Sequence, residues 1–160
     1  MLHAKALNSA TDDDGYSKVF ELMKKNFDSQ EEYERMVAEM RSELSKESPI
    51  LNCITVEEEN GNALGYVIYC FGYSTWDGKT VALQSMYVVD DNEDTMFQAL
   101  NELRNMVHQL ADEHKCRKVT WSSSKDSKFS IDPRVVDMTS LEGWYLYHLP
   151  NCRFNDLLKV

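Results

Sequence analysis

Glycine and proline are scarce in this chain, with 6 and 3 copies among 160 residues. No Pro-rich or Gly/Ser-rich stretch, repeat or low-complexity segment indicates a linker, so one domain spanning residues 1–160 is predicted. No run approaches about 18 consecutive apolar residues, which argues against a membrane-spanning helix. The first ten residues lack the apolar segment of a secretory signal, so a cytoplasmic or nuclear location is expected.

Cations are outnumbered by anions: 17 Lys and Arg stand against 27 Asp and Glu, for a formal net charge of −10 with His neutral. This balance argues against nucleic acid or an anionic membrane as the main partner, since both require clustered cations. A basic protein partner fits the charge, although solubility alone is a sufficient reason for it. The four cysteines are widely spaced, which favours reduced thiols over a disulfide framework.

The hydrophobic pattern changes from helical to strand-like and back along the chain. Ser29 followed by acidic residues is typical of a helix N-cap, and the pairs Asn60-Gly61 and Asp77-Gly78 are typical of hairpin turns. The predicted elements are a strand over residues 3–7, helices over 16–27 and from 30 to before 49, strands over 50–57, 64–73 and 80–89, a helix over 95–114, a strand over 117–121 and final strands over 144–149 and 154–158. This order predicts a mixed α/β sheet.

Three motifs carry a family resemblance that covers nearly the whole chain in register. An aromatic strand over residues 65–73 runs into a turn with Trp76 and Gly78-Lys79, and Glu142-Gly143-Trp144 opens a later strand. In these motifs the chain resembles the spermidine/spermine (diamine) N-acetyltransferases of the GNAT superfamily. The resemblance implies an α/β GNAT fold, with a mixed, mostly antiparallel sheet of about six or seven strands flanked by helices.

The resemblance also implies a place for acetyl-CoA. In that family an Arg-Gly-x-Gly-x-Gly loop holds the cofactor diphosphate at the start of the long helix, where N–H groups face an anion. The alignment places Thr95 at the arginine and Met96, Gln98 and Leu100 at the glycines, so glycine and cation are both lost here. Four acids accompany the start of the helix instead: Asp90, Asp91, Glu93 and Asp94. We expect these acids to stabilise the helix N-terminus, and we expect neither a cofactor nor a metal ion.

The residues that match the family's amine-binding site have also lost their functional groups. The resemblance implies three carboxylates that attract the amine, and the matching residues here are Ser74, Gln84 and Ser85. The family tyrosine that protonates the departing CoA thiolate matches Ser130. Neither Gln nor Ser can act as a base near neutral pH, and a Ser hydroxyl is a much weaker acid than a phenol. No catalytic residue is therefore predicted at these four degenerate positions.

Two hypotheses from different classes follow. The preferred one is a catalytically inactive GNAT-fold protein that acts as a protein-interaction module, because the loop, the carboxylates and the general acid are lost together. Its expected partner is a protein of basic character, and the resemblance adds a homodimer; direct binding to nucleic acid or membrane is not expected. The alternative is an active acetyl-CoA-dependent N-acetyltransferase on polyamines or related amines. Main-chain groups of Met86, Tyr87 and Val88, on a strand that splays from its neighbour, would then hold the cofactor.

Overall fold

The computed structural model describes residues 1–124, 127–144 and 146. The chain divides into two compact units, residues 1–122 and 123–160, and each is described by itself. The first unit contains β1 (Leu2–Leu7), α1 (Asp13–Met23), a short 3-10 helix (Lys24–Asn26), α2 (Gln30–Leu44), β2 (Asn52–Glu58), β3 (Ala63–Ser74), β4 (Gly78–Val88), α3 (Glu93–Glu113) and β5 (Lys118–Thr120). The second unit contains a 3-10 helix (Lys128–Ser130) and α4 (Met138–Glu142).

The five strands of the first unit form one open sheet in the order β1-β2-β3-β4-β5. The first four strands pair antiparallel; α1 and α2 lie between β1 and β2, whereas tight turns join β2 to β3 and β3 to β4. Gly61 and Gly78 supply the left-handed backbone of these two turns, with φ of +83° and +90°. The crossover through α3 makes β5 parallel to β4. The predicted mixed, mostly antiparallel α/β sheet is therefore confirmed.

The strand count within the described residues is five, slightly below the six or seven expected from the resemblance. The two final strands predicted over residues 144–149 and 154–158 lie outside the described residues, apart from Trp144 and Leu146. The prediction for those two segments therefore stays a prediction.

Capping residues set the starts of the two long helices. The Ser29 hydroxyl accepts a hydrogen bond from the Glu32 N–H at 3.2 Å, as predicted for α2. Asn92 plays the same role for α3, so this helix begins at Glu93, two residues before the predicted start. The helix predicted over residues 16–27 begins earlier, at Asp13, and ends in the 3-10 helix.

Helices cover both faces of the sheet. On one face, α1 and α2 bury a cluster that includes Val19, Phe20, Cys53, Tyr66 and Ile68. Neighbouring strand residues such as Ile54, Val56 and Val67 are also buried, and they face the side on which α3 packs, because side chains alternate along a strand. Each such aliphatic side chain contributes about 1.5–3 kcal/mol by leaving water. Within the described ranges, no helix is both long enough and apolar enough to cross a membrane.

Buried ionisable groups in this core predict alkaline instability. Burial raises the pKa of the Cys53 thiol from 9.0 to about 12 and that of Tyr69 from 10.0 to about 12. The folded state therefore keeps protons that the unfolded chain releases above about pH 9, so the free energy of unfolding falls as pH rises from about 9 to 12. Cys53 alone should account for a loss of about 2 kcal/mol by about pH 10.5.

Urea unfolding of the wild type and of Cys53→Ala, each at pH 7 and at about pH 10.5, checks this prediction. The pH-dependent loss should be smaller in Cys53→Ala, whatever the cost of the substitution at pH 7. Equal losses in the two proteins would show that the thiol stays protonated in both states or ionises in both.

Candidate functional site

A β-bulge interrupts the pairing of β3 with β4 at Gln84. Ile68 pairs with Ser85 and Tyr69 pairs with Leu83, so Gln84 is one extra residue on β4. A bulge redirects its side chain and bends the strand. The Gln84 side chain is exposed, and its amide donates to the Cys70 sulfur at 3.3 Å. The bulge thus divides β4 into a first half that pairs with β5 and a second half that does not.

The second half of β4 presents an open main-chain edge. In the first unit, β5 pairs only with Thr80–Ala82, through Lys118–Thr120. Beyond Ala82, the N–H and C=O groups of β4 that point away from β3 have no strand partner in that unit. Met86, Tyr87 and Val88, the residues of the predicted splayed strand, lie on this edge.

Ser85 belongs to a partly buried hydroxyl network on the α1 and α2 side of the sheet. Its hydroxyl lies 3.4 Å from the Tyr66 hydroxyl, which also accepts a hydrogen bond from the Asn26 amide at 3.4 Å. Burial raises the pKa of Tyr66, although hydrogen bonds from Ser85 and Asn26 partly oppose the shift. The network can hydrogen-bond a ligand but holds no group able to accept a proton near neutral pH.

A lysine ammonium lies beside this hydroxyl network, on the same face of the sheet. The Lys25 ammonium lies 3.8 Å from the centre of the Tyr87 ring, and the rings of Tyr87 and Tyr66 are 6.1 Å apart. The Tyr87 hydroxyl is buried and has no hydrogen-bond partner among the residues that the structure describes. Lys25 was not predicted from the sequence, because the only signal was a Lys-Lys pair in the connection between two helices. An ammonium here disfavours a cationic amine in the same place.

Ser74 stabilises the turn between β3 and β4 through its hydroxyl. Its hydroxyl accepts hydrogen bonds from the N–H groups of Trp76 and Asp77 at 3.2 and 3.1 Å, and it donates to the Asp77 carboxylate at 3.1 Å. Lys118 pairs with the same carboxylate. These hydrogen bonds, from Lys118 first and Ser74 second, hold the pKa of Asp77 below its usual value. Asp77, which the sequence pattern marked only as a turn residue, is therefore ionised and already paired with Lys118.

The N-terminus of α3 is capped by a residue of its own chain, Asn92. The Asn92 side chain accepts from the Thr95 N–H at 3.0 Å, and the Asn92 carbonyl accepts from the Met96 N–H at 2.9 Å. Met96 and Leu100 are buried, whereas Gln98 is exposed. The four degenerate loop positions thus lie within the first two turns of a helix, not in a loop.

The acids at the start of α3 are exposed. Asp90, Asp91, Glu93 and Asp94 all face solvent. Among the residues that the structure describes, no group of three His, Cys, Asp or Glu side chains could hold a metal ion. A diphosphate approaching this helix would meet exposed carboxylates and a Thr95 N–H that already has an acceptor.

Ser130 belongs to the second unit and is described only there. It ends the 3-10 helix over Lys128–Ser130, and its hydroxyl lies 3.1 Å from that of Ser123. The structure brings Gln84, Ser85 and Met86–Val88 together on β4. It places Ser74 at the far end of the same hairpin and Thr95–Leu100 on α3.

Comparison with solved structures decides the fold. The chain superposes on an integron cassette protein from the mobile metagenome of V.cholerae with a TM-score of 0.70 at 15% identity, over 99% of this chain and 98% of that one. A ribosomal-protein-alanine N-acetyltransferase from Brucella melitensis biovar Abortus 2308 gives 0.67 at 12% identity, over 94% and 99%. The aminoglycoside 6'-N-acetyltransferase AAC(6')-Ih from Acinetobacter baumannii gives 0.62 at 14% identity, over 94% and 99%.

This is the GNAT fold. No family model matches the chain. Because the identities of these structures are 12–15%, the likeness establishes the fold of N-acetyltransferases and nothing finer. The resemblance to the diamine branch of the GNAT superfamily stays a prediction, as do the roles assigned to single residues.

Proposed function

We propose that the chain is a GNAT-fold protein that has lost acetyl transfer and acts by binding another protein. The start of α3 is the observation that carries this proposal. Asn92 accepts the Thr95 and Met96 N–H groups, and exposed carboxylates surround them. A helix N-terminus binds an anion through free N–H groups and its positive dipole. Here the Asn92 side chain already takes the Thr95 N–H, and the exposed carboxylates of Glu93 and Asp94 in the first turn interact with the dipole and repel a second anion.

The amine end of the site supports the same conclusion. Ser85 and Tyr66 form a neutral hydroxyl pair, and the Asp77 carboxylate is paired with Lys118. Lys25 adds a positive charge over Tyr87. An amine that arrives protonated would find no free carboxylate to bind it and no base to deprotonate it among these groups.

A retained fold without its chemistry is most simply explained by a surface that another chain recognises. The formal charge of −10 favours a basic partner, with an association rate that falls as salt rises. A homodimer, which the family resemblance implies, is the default oligomeric state of the proposal.

The second candidate is an acetyltransferase with divergent cofactor contacts. One observation favours it: the bulge at Gln84 and the open edge over Met86–Val88 offer main-chain groups that no side-chain substitution removes. This hypothesis requires that those groups alone supply enough binding free energy for acetyl-CoA.

An acetylation assay separates the two candidates. Spermidine, spermine, thialysine and lysine peptides are incubated with acetyl-CoA and the purified protein, and the release of CoA thiol is followed. We expect no release above the rate without protein. Turnover at ordinary enzyme rates, abolished by Gln84→Ala or Ser130→Ala, would overturn the proposal.

A further inference from the structure

The second half of β4 points main-chain hydrogen-bonding groups away from its neighbour β3. The Val89 N–H donates to the Leu64 carbonyl at 2.8 Å, so these two residues form a hydrogen-bonded pair at the end of the antiparallel ladder. Hydrogen-bonded pairs alternate with non-hydrogen-bonded pairs, so Tyr87 bonds to β3 whereas Met86 and Val88 do not. The N–H and C=O groups of Met86 and Val88 therefore point outward from the edge of β4.

These four outward groups lie beyond the end of β5. That strand pairs with β4 only as far as Ala82, and β4 continues to Val88. In the part of the chain that the structure describes, the outward groups of Met86 and Val88 have no hydrogen-bond partner. Ser85–Val88 are partly exposed, whereas Gly65–Ile68, which pair with them on β3, are buried. The edge therefore offers two donors and two acceptors at the spacing that an added strand uses.

The two faces of this edge differ in chemistry. Met86 and Val88 lie on the α3 side of the sheet, where their neighbour Val67 is buried. Tyr87 lies on the side of α1 and α2, and the Lys25 ammonium is 3.8 Å from the centre of its ring. Within the described ranges, no carboxylate pairs with Lys25. A strand added to β4 would thus have apolar neighbours on one face and an ammonium on the other.

We propose that the edge of β4 over Met86–Val88 binds an extended segment of a partner protein as an added β-strand. The segment carries an acidic side chain opposite Tyr87, where it reaches Lys25, and an apolar side chain on each side of that acid. The triplet apolar-acidic-apolar is the same in both directions, so it fits a parallel or an antiparallel strand.

This inference rests on the proposed function, because it names the surface and the partner chemistry of the interaction module. The site requires one acidic side chain in the bound segment, so it is compatible with a partner that is basic elsewhere, as the formal charge of −10 favours. An extended peptide is favoured over other ligands because it presents alternating donors and acceptors along its whole length.

Selection from a random heptapeptide library tests the strand site without the natural partner. We expect the enriched peptides to share an Asp or Glu with an aliphatic or aromatic residue on each side. One enriched peptide is then synthesised with capped ends and titrated calorimetrically into the wild type. Its affinity should fall roughly tenfold in Lys25→Glu, and a peptide with Lys in place of the acid should regain that loss in the same variant.

Methylation of single peptide nitrogens tests the main-chain pairing. An added strand directs every second N–H group to β4 and the intervening ones to solvent. We therefore expect N-methylation to weaken binding roughly tenfold at alternate positions and to have little effect at the positions between them. A peptide that binds through its side chains alone, or as a turn or helix, would not show this alternation.

Two charge-matched controls locate the site. Lys24→Glu reverses the neighbouring exposed cation, which lies over the Tyr33 ring, and Lys5→Glu reverses an exposed cation on β1, the other edge strand of the sheet. Both variants should bind the peptide within about twofold of the wild type. An unchanged thermal midpoint for Lys25→Glu would show that the fold is retained.

Several outcomes would overturn the inference. These are no enrichment, enriched peptides without the acidic position, a methylation series without alternation, or a larger loss for Lys5→Glu than for Lys25→Glu, which would assign the peptide to β1. Self-association of the wild type that the peptide reverses would assign the edge to a second copy of the chain and overturn the proposed partner.

The same experiments separate this inference from the proposed function. Acetyl turnover, or displacement of the bound peptide by about 0.1 mM acetyl-CoA, would overturn the proposed function and leave the strand site standing. Absence of both enrichment and turnover would overturn the strand site alone.

Discussion

Calorimetric titration of acetyl-CoA into the purified wild type is expected to show no binding tighter than about 1 mM, which corresponds to about −4 kcal/mol. The Thr95 and Met96 N–H groups already have acceptors on Asn92. Each close like-charge contact of the diphosphate with an acid costs about 1 kcal/mol even when solvated. Each missing charge-assisted hydrogen bond removes about 1.5–3 kcal/mol more.

The double variant Glu93→Gly/Asp94→Gly tests the cause of the weak binding. If repulsion matters, any residual affinity for CoA should rise by roughly threefold to tenfold, because two like-charge contacts are removed. The same change should lower the thermal midpoint, since acids in the first turn stabilise the helix dipole and glycine disfavours a helix. The matched control is Asp112→Gly/Glu113→Gly, which makes the same charge change at the other end of α3 and should not affect affinity.

A micromolar dissociation constant for the wild type would contradict this prediction. It would show that main-chain groups along Met86–Val88 are sufficient for cofactor binding and would favour the acetyltransferase hypothesis. Equal affinity gains in the double variant and in its control would assign the effect to net charge rather than to the start of α3.

The order of elements could be predicted because the signals that set it are local. Ser29 caps α2 through the N–H three residues later, and Gly61 and Gly78 adopt the positive φ that their hairpin turns require. The prediction places the start of α3 two residues late, at Thr95. The reason is that hydrophobic spacing reveals a helix only from about its first buried residue onward. The cap at Asn92 lies a full turn before the first buried residue, Met96.

The site was less predictable because its geometry comes from pairing between strands. The bulge at Gln84 depends on how β4 aligns with β3, and no glycine or proline marks it in the sequence. Loss of a carboxylate at Ser74 was predicted, yet the same turn holds Asp77, whose partner Lys118 comes from a distant strand. The contact of Lys25 with Tyr87 likewise joins a helix connection to a strand far along the chain.

Gly65 is the glycine of the sheet whose missing side chain matters most. It pairs with Val88 on β4, and a Cβ added there would lie 2.6 Å from the Tyr87 carbonyl oxygen and 2.9 Å from a Val88 methyl carbon. The backbone oxygen cannot swing aside as a flexible side chain could. The Thr55 hydroxyl also donates to the Gly65 carbonyl at 3.2 Å, which holds the strand on its other side.

Gly65→Ala should therefore push the end of β4 away from β3 and lower the free energy of unfolding by about 2–3 kcal/mol. Gly72→Ala is the matched control, since it lies in the same strand and its Cβ would meet only the Thr80 hydroxyl oxygen, at 3.0 Å. That side chain can adjust, so the loss should stay below about 1 kcal/mol. Urea unfolding measures both losses, provided that the slopes of the transitions match. Losses below about 1 kcal/mol in both variants would mean that the Tyr87 carbonyl moves aside at little cost. The main-chain edge over Met86–Val88 would then be too soft to present a fixed set of donors and acceptors.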